Sequence, residues 1–299
     1  MTVEGPVLSI LTPAYNEANY LGLMIESLQR QSDPRWELIL VDDGSSDGTD
    51  VIMSEWSERD DRIRIASKGV RLGKVEAFNT AFRASTGTHI CHVGGDDLAG
   101  EDMVADRLGA LDGSGFRVAF SHFMTIDQQG QITGGPFPRG ALGSRSGGNI
   151  TMSRELAAVL FPIPAGLPSE DIWIGQGCTA LVENPVHIRG AHYFYRMHAG
   201  NSNPRNKTFT EMSRKMHDRA QATRALLEQD RFALSPAARS HLKSLWTAAE
   251  QRNNGQLWAL ATNRDLSVVD RLANLSMAHP LLWRIRQQFP RLLTGWRGK

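Results

Sequence analysis

The feature that most restricts this chain is an alternation between apolar runs and amphipathic segments across its first hundred residues. The runs are VLSILT (7–12), WELILV (36–41), RIRIAS (62–67) and HICHVG (89–94). Between them Leu21, Met24, Ile25 and Leu28 recur at helical spacing, as do Val75, Phe78, Ala81 and Phe82. SDGTDVIMSEWSE (46–58) reads as a further helix, with Asp47 or Thr49 as its cap. Continuous apolar runs are what strands covered on both faces look like, and the helices supply the crossovers that parallel strands need. The expected fold is α/β, a doubly wound, mostly parallel sheet. Ligands of such sheets bind beyond the carboxyl ends of the strands.

Those ends are unusually polar. The first delivers Pro13, Ala14, Tyr15, Asn16 and Glu17, the second VDDGSSDGTD (41–50), and the fourth Gly94, Gly95, Asp96 and Asp97. A simple turn needs one or two such residues, whereas a pocket wall for a polar ligand uses all of them. Two carboxylates directly after a strand suit a hard divalent cation, magnesium or manganese, which takes carboxylate and phosphate oxygens. The glycines before them let a ligand approach the backbone closely. Acidic residues here also serve as helix caps, and that reading suits Asp47 best. No G-x-G-x-x-G follows the first strand, which argues against a dinucleotide site. GVRLGKVE (69–76) fails as a phosphate loop, because its glycines are too close and Val75 stands where a Ser or Thr would bind magnesium.

After Phe116 the rhythm changes. RVAFSHFMTIDQQGQITG (117–134) reads as a hairpin turning at Gln129-Gly130, and GGPFPRGALGSRSGGN (134–149) as a long loop of the kind that forms lids. From about Arg205 two helices are expected, at 211–229 and 236–251. This gives a first domain over 5–204 and a helical extension over 205–299, with the boundary at NSNPRNK (201–207).

Taken in order, SILTPAYNEANYL, ELILVDDGSSDGT, GKVEAFNTAFRASTG, HVGGDD, PSEDIWIG and YFYRMHAGNS resemble the motifs of family-two glycosyltransferases of GT-A fold, over roughly residues 5–203. The resemblance implies an inverting, metal-dependent transfer of a sugar from a nucleotide diphosphate donor, a UDP-sugar by family habit. Pro13, Ala14, Tyr15, Glu17 and Gly95 would then line the nucleotide pocket. Asp43 would hydrogen-bond the base, and Lys74 would lie near the nucleotide. The family's acidic metal motif usually opens on Asp, where this chain has Gly94, which puts the ribose contact in doubt. Asp96 would ligate manganese or magnesium, with Asp97 the second candidate and His198 a further ligand. Asp171 of SED would be the general base, with Glu170 orienting the acceptor or substituting for it. Ser169 and Glu170 are equally the material of a capping box. Arg196 would lie by the diphosphate, and Trp173 would either stack on an acceptor sugar or belong to the core.

Composition sets the outer limits. With 33 Lys and Arg against 32 Asp and Glu, nothing in the net charge points to nucleic acid. The first residues show no secretory-leader pattern, and no apolar run reaches the roughly 18 residues of a spanning helix. Cys91 and Cys178 have no zinc-type spacing and suit a cytoplasmic protein. Residues 271–299 hold six basic residues, interleaved apolar ones and no acidic one. They are expected either to contact the inner face of a membrane or to pack as a solvated helix. The expected role is synthesis of a polysaccharide, glycolipid or glycoprotein glycan on a glycan or lipid-linked acceptor. Its rivals are a nucleotidyltransferase, for which the chain lacks a basic glycine loop, and a catalytically silent nucleotide-sugar or glycan-binding protein.

Overall fold

The computed structural model describes residues 7–145, 147–198, 200 and 208–288. Two expected features, the NSNPRNK boundary and the last part of the basic tail (289–299), lie outside these residues. The chain divides into two compact units, Met1–Met197 and His198–Lys299.

The first unit is built on β1 (Leu8–Ala14), β2 (Trp36–Asp42), β3 (Ile63–Ser67) and β4 (His89–His92), joined by α1 (Leu21–Gln29), α2 (Thr49–Arg59) and α3 (Lys74–Ala84). These four strands pair in parallel in the order β3-β2-β1-β4. All of β2 and nearly all of β1 are buried, as their unbroken apolar runs require. Leu21, Met24, Ile25 and Leu28 of α1 pack with Leu8, Ile10, Leu38 and Leu40 in one core. α2 starts one residue from its expected caps, because Gly48 occupies the cap position with φ +94° and Asp47 accepts the Thr49 N–H instead.

Beyond β4 the sheet becomes mixed. β5 (Leu98–Ala99) and α4 (Met103–Ala110) precede β6 (Val118–Ile126) and β7 (Ile132–Phe137), which form the expected hairpin with Gly130 at φ +84° in its turn. β8 (Ile150–Ser153) joins β4 to β6 in antiparallel fashion. α5 (Arg154–Leu160) and α6 (Glu170–Leu181) then lead to β9 (Val186–Arg196), which runs parallel to β6. The result is an α/β fold whose nine-stranded sheet is parallel through its N-terminal strands and mixed thereafter.

The expected long loop is shorter than its composition suggested. Strand β7 takes its first residues through Phe137, and a 3₁₀ turn takes Gly147–Asn149. What lies between is a strap seated closely on the first unit. A β-carbon on Gly143 would run into the Phe120 carbonyl, one on Gly148 into the Tyr193 ring, and one on Gly175 of α6 into the Arg145 carbonyl. Gly175→Ala is therefore expected to force α6 and the strap apart and to lower stability by about 1–3 kcal/mol. A thermal melt matching wild type would show that the strap does not lie on α6.

The second unit contains α7 (Phe209–Leu227), α8 (Pro236–Asn253), α9 (Leu257–Thr262), α10 (Val268–Leu275) and α11 (Pro280–Gln288). A capping box between Thr208 and Glu211 starts α7, and Ser235 with Pro236 starts α8. Ala248, Leu260, Leu266 and Ala278 form its small core. Among the described residues no helix is long and apolar enough to cross a membrane.

Candidate active site

The polar residues after β1 and β2 chiefly fasten the two loops to each other. Asn16, at φ +56°, donates its N–H to Ser45 Oγ (3.0 Å), and its side-chain oxygen accepts the Ser46 N–H (2.9 Å). The Glu17 N–H donates to Thr49 Oγ1 (2.8 Å) and the Ala18 N–H to Asp47 Oδ2 (3.0 Å). Burial opposes ionisation of Asp47, yet hydrogen bonds from the Thr49 hydroxyl and from the Ala18 and Thr49 N–H groups hold its carboxyl below the usual range. Asp42 accepts N–H groups from Ser45 (2.9 Å) and Gly69 (2.8 Å). Asp43 Oδ1 accepts those of Leu72 (2.6 Å) and Gly73 (2.7 Å), while its Oδ2 lies 3.7 Å from Arg71 Nη1. The VDDGSSDGTD stretch is thus mostly a set of staples, and Tyr15 beside it is exposed. The Arg71 guanidinium covers that ring at 3.6 Å from its centroid.

The β4 end meets this edge through its glycines. Pro13 and Ala14 close β1, where the Ala14 carbonyl accepts the Asp43 N–H (2.9 Å). A β-carbon on Gly95 would lie 3.2 Å from Glu17 Cγ and 3.4 Å from Ala14 Cβ. Gly94 is tighter, since a β-carbon there would sit 2.6 Å from Asp97 Oδ2 and 2.8 Å from Asp96 Oδ1. The glycine at the family's acidic position is thus required by the placing of the two carboxylates that follow it. Burial, then the charges of Asp96 and Asp47, raise the Glu17 carboxyl to about 8. Such an excess of negative charge around Asp96 is what a divalent cation would relieve, and one or two carboxylates suffice when phosphate oxygens complete the shell. Among the described residues no three His, Cys, Asp or Glu side chains form a ready-made metal cage.

Three expected contacts are corrected here. Asp97 is turned into the protein, where Tyr193 Oη donates to Oδ2 and the Arg196 N–H to Oδ1 (2.8 Å). Burial and neighbouring Asp96 push its carboxyl well above the ordinary range, so it is an interior hydrogen-bonding group and a poor cation ligand. Arg196 is 1 % exposed and does not reach for a diphosphate. Its guanidinium donates to the carbonyls of Asp96 (2.7 Å) and Gln128 (2.9 Å) and lies over Tyr20, so it positions Asp96 from behind. Trp173 is fully buried with its indole N–H on the Leu160 carbonyl (2.9 Å), which makes it core and not an acceptor platform. His198 is the first residue of the second unit.

The remaining wall comes from α3 and α6. Asn79 of α3 accepts the Ile163 N–H (2.7 Å) and donates to the Ile163 carbonyl (3.0 Å), a paired clamp that fastens the approach to α6. Lys74, at the start of α3, then lies 3.1 Å from Glu170 Oε2. Burial raises the Glu170 carboxyl, Lys74 opposes the rise and Asp171 adds to it. No capping box forms. Ser169 Oγ donates instead to Asp171 Oδ1 (2.6 Å), which also accepts the Ile172 N–H (2.9 Å). Asp171 is thereby fixed at a helix N-terminus with partial exposure to solvent.

His92, which the sequence reading passed over, joins these parts. It closes β4, packs edge-on against Phe78 at 5.1 Å and hydrogen-bonds the Gly147 backbone. Burial, with Lys74 and Arg107 nearby, lowers its pKa to about 3, while Asp171 acts against them. Lys74, Asp171 and the strap therefore share the neighbourhood of the strand that carries Asp96. Because the imidazole stays neutral when folded but protonates near 6.5 when unfolded, its contribution to stability is complete above pH 6.5. It is lost as pH falls toward 3, at up to about 1.4 kcal/mol per pH unit. His92→Gln is expected to flatten that part of the stability–pH curve in denaturant melts, and an unchanged slope would contradict the burial of a neutral ring.

The model of Glycosyl transferase family 2 matches residues 9–150, the segment that carries the loops and the β4 tip. Residues 9–150 belong to that family. Relatives include the putative teichuronic acid biosynthesis glycosyltransferase TuaG of Bacillus subtilis, 30% identical over 130 residues, 44% of this chain and 52% of TuaG. Another is the UDP-Glc:alpha-D-GlcNAc-diphosphoundecaprenol beta-1,3-glucosyltransferase WfgD of Escherichia coli, 34% identical over 31% of this chain and 36% of WfgD. The match therefore spans about half the length of the first of these curated relatives and about a third of the second. Among solved structures, S. aureus TarS 1-349 in complex with UDP-GlcNAc aligns with a TM-score of 0.64 at 16% identity, over 96% of this chain and 86% of that one. At such identity the likeness speaks for the GT-A fold alone. The residues missed from sequence are His92, Asn79, Tyr193 and Arg71. A buried Asn inside an amphipathic helix and a His at a strand end were the available signals.

Proposed function

We propose that this chain transfers a sugar with inversion from a nucleotide diphosphate donor to an acceptor hydroxyl. The observation that carries the reading is the shared edge. Asp96 and Glu17 lie at neighbouring strand ends, and Asp171 is fixed beside Lys74 and His92 next to the same strand. Tyr15, Arg71 and Asp43 Oδ2 offer a stacking face and an acceptor for a nucleobase. Asp96 would hold manganese or magnesium, with Gly94 leaving room for the carboxylates of Asp96 and Asp97. When bound, that cation supplies Lewis-acid stabilisation of the leaving diphosphate.

The chain's own residues account for the remaining steps. Asp171 accepts the proton of the attacking hydroxyl, and the Ser169 and Ile172 donors on Oδ1 fix its carboxyl. Glu170 and Lys74 form an ion pair that sets the start of α6 and keeps a cation near the diphosphate. Arg196 and Tyr193 hold the Asp96–Asp97 turn rigid from the interior. The donor is proposed to be a UDP-sugar, a choice supported by the UDP-GlcNAc complex of TarS. Use of manganese is supported by the mannosyltransferase PcManGT from Pyrobaculum calidifontis with GDP-Man and Mn2+, which aligns with a TM-score of 0.58 at 15% identity over 97% of this chain and 89% of that one. WfgD supports a lipid-linked acceptor, and TuaG supports a role in polysaccharide synthesis.

A panel of UDP- and GDP-sugars, assayed for nucleotide diphosphate release with manganese, tests the reading. Release from at least one donor, abolished by chelation, is expected. Binding with no release from any donor, with and without glycan acceptors, would favour a silent binding protein.

A further inference from the structure

We propose that the second unit docks on the surface of an anionic lipid bilayer through α10 and α11. Helix α10 has no buried residue. Its apolar positions Val268, Val269 and Leu272 are 63%, 75% and 52% exposed, and their spacing puts them on one face. On α11, Leu281 and Ile285 lie one turn apart and are 60% and 50% exposed. Soluble proteins rarely leave so many aliphatic side chains of adjoining helices in water without a partner.

Charge selects the partner. Across α10 and α11 there are three arginines, Arg271, Arg284 and Arg286, and one acid, Asp270; the sequence after α11 adds Arg291, Arg297 and Lys299 and no acid, and Arg284 stands exposed between Leu281 and Ile285. A second copy seated on this face would bring its arginines against those of the first, whereas lipid phosphates complement them. Short helices with an apolar face and flanking arginines lie in the interfacial plane, and at eight and nine residues α10 and α11 are far too short to span. Pro280 is the first residue of α11, so it starts this helix and does not interrupt it. The benefit of such docking rests on the lipid-linked acceptor proposed above, since both enzyme and acceptor would then meet at one surface.

The test is co-sedimentation of the full chain with vesicles of phosphatidylcholine alone and of phosphatidylcholine with phosphatidylglycerol. Wild type is expected to pellet with the anionic vesicles only, less so in high salt. Val269→Asp with Leu272→Asp, and Leu281→Asp with Ile285→Asp, should each lower partitioning by about tenfold or more. Arg284→Glu should lower it several-fold. All five positions are exposed, so the variants retain the fold, checked by circular dichroism. Equal pelleting of wild type and variants, or none by wild type, overturns the proposal. So does a concentration-dependent dimer abolished by the same substitutions, which would make the face an interface between copies. Manganese-dependent UDP binding should be unchanged in every variant. Its absence from wild type would remove the proposed function while leaving the vesicle result to stand on its own.

Discussion

Asp171→Asn is expected to lower kcat for sugar transfer by about 10²–10⁴-fold while leaving nucleotide diphosphate affinity unchanged. The amide keeps the size of the carboxyl and can still accept from Ser169 Oγ and the Ile172 N–H, so α6 should start where it does now. What it loses is the capacity to take a proton. Glu170 lies one residue away but is 2% exposed and committed to Lys74, so it is badly placed to substitute. Rapid-quench measurement of product under saturating donor separates the chemical step from binding. Equal turnover by wild type and variant would move the base elsewhere.

Asp96→Asn has the second large effect. With its charge gone, the carboxylates at the strand ends should lose most of their hold on a divalent cation, and kcat/KM should fall by about 10²–10³-fold. The variant should also bind UDP equally with and without manganese. Glu17 gives this prediction a pH signature. Its carboxyl, raised to about 8, carries a proton at neutral pH, and each step toward its ionisation adds negative charge beside Asp96. Manganese affinity should therefore rise as pH climbs through about 8, and Glu17→Gln should abolish that rise. A pH-independent affinity in wild type would mean that Glu17 is remote from the cation.

These expectations depend on parts of the molecule that were unevenly legible in the sequence. The parallel strands could be read because burial on both faces leaves an unbroken apolar run, and the hairpin because Gln129-Gly130 announces its turn. Asp96 could be singled out because the topology puts strand ends on one edge, whereas Asp171 and the nucleotide role of Lys74 rested on the resemblance of their stretches to family-two motifs. Direction of side chains was not readable. Asp96 and Asp97 are neighbours of one type, and only the Tyr193 hydroxyl and Arg196 N–H, about a hundred residues later, decide which of them faces inward. Arg196 and Trp173 carried the chemistry of a ligand contact yet serve the interior, because their partners are backbone carbonyls that no sequence pattern marks. His92 and Asn79 work through contacts with Gly147 and Ile163, which the fold alone brings near.

Isothermal titration of UDP into wild type and Asp96→Asn, each with and without manganese, addresses the cation-bridged diphosphate most directly. If strand-end carboxylates hold the donor through a metal, wild type binds at least tenfold more tightly with manganese and the variant shows no difference. Identical affinities in all four titrations would contradict it.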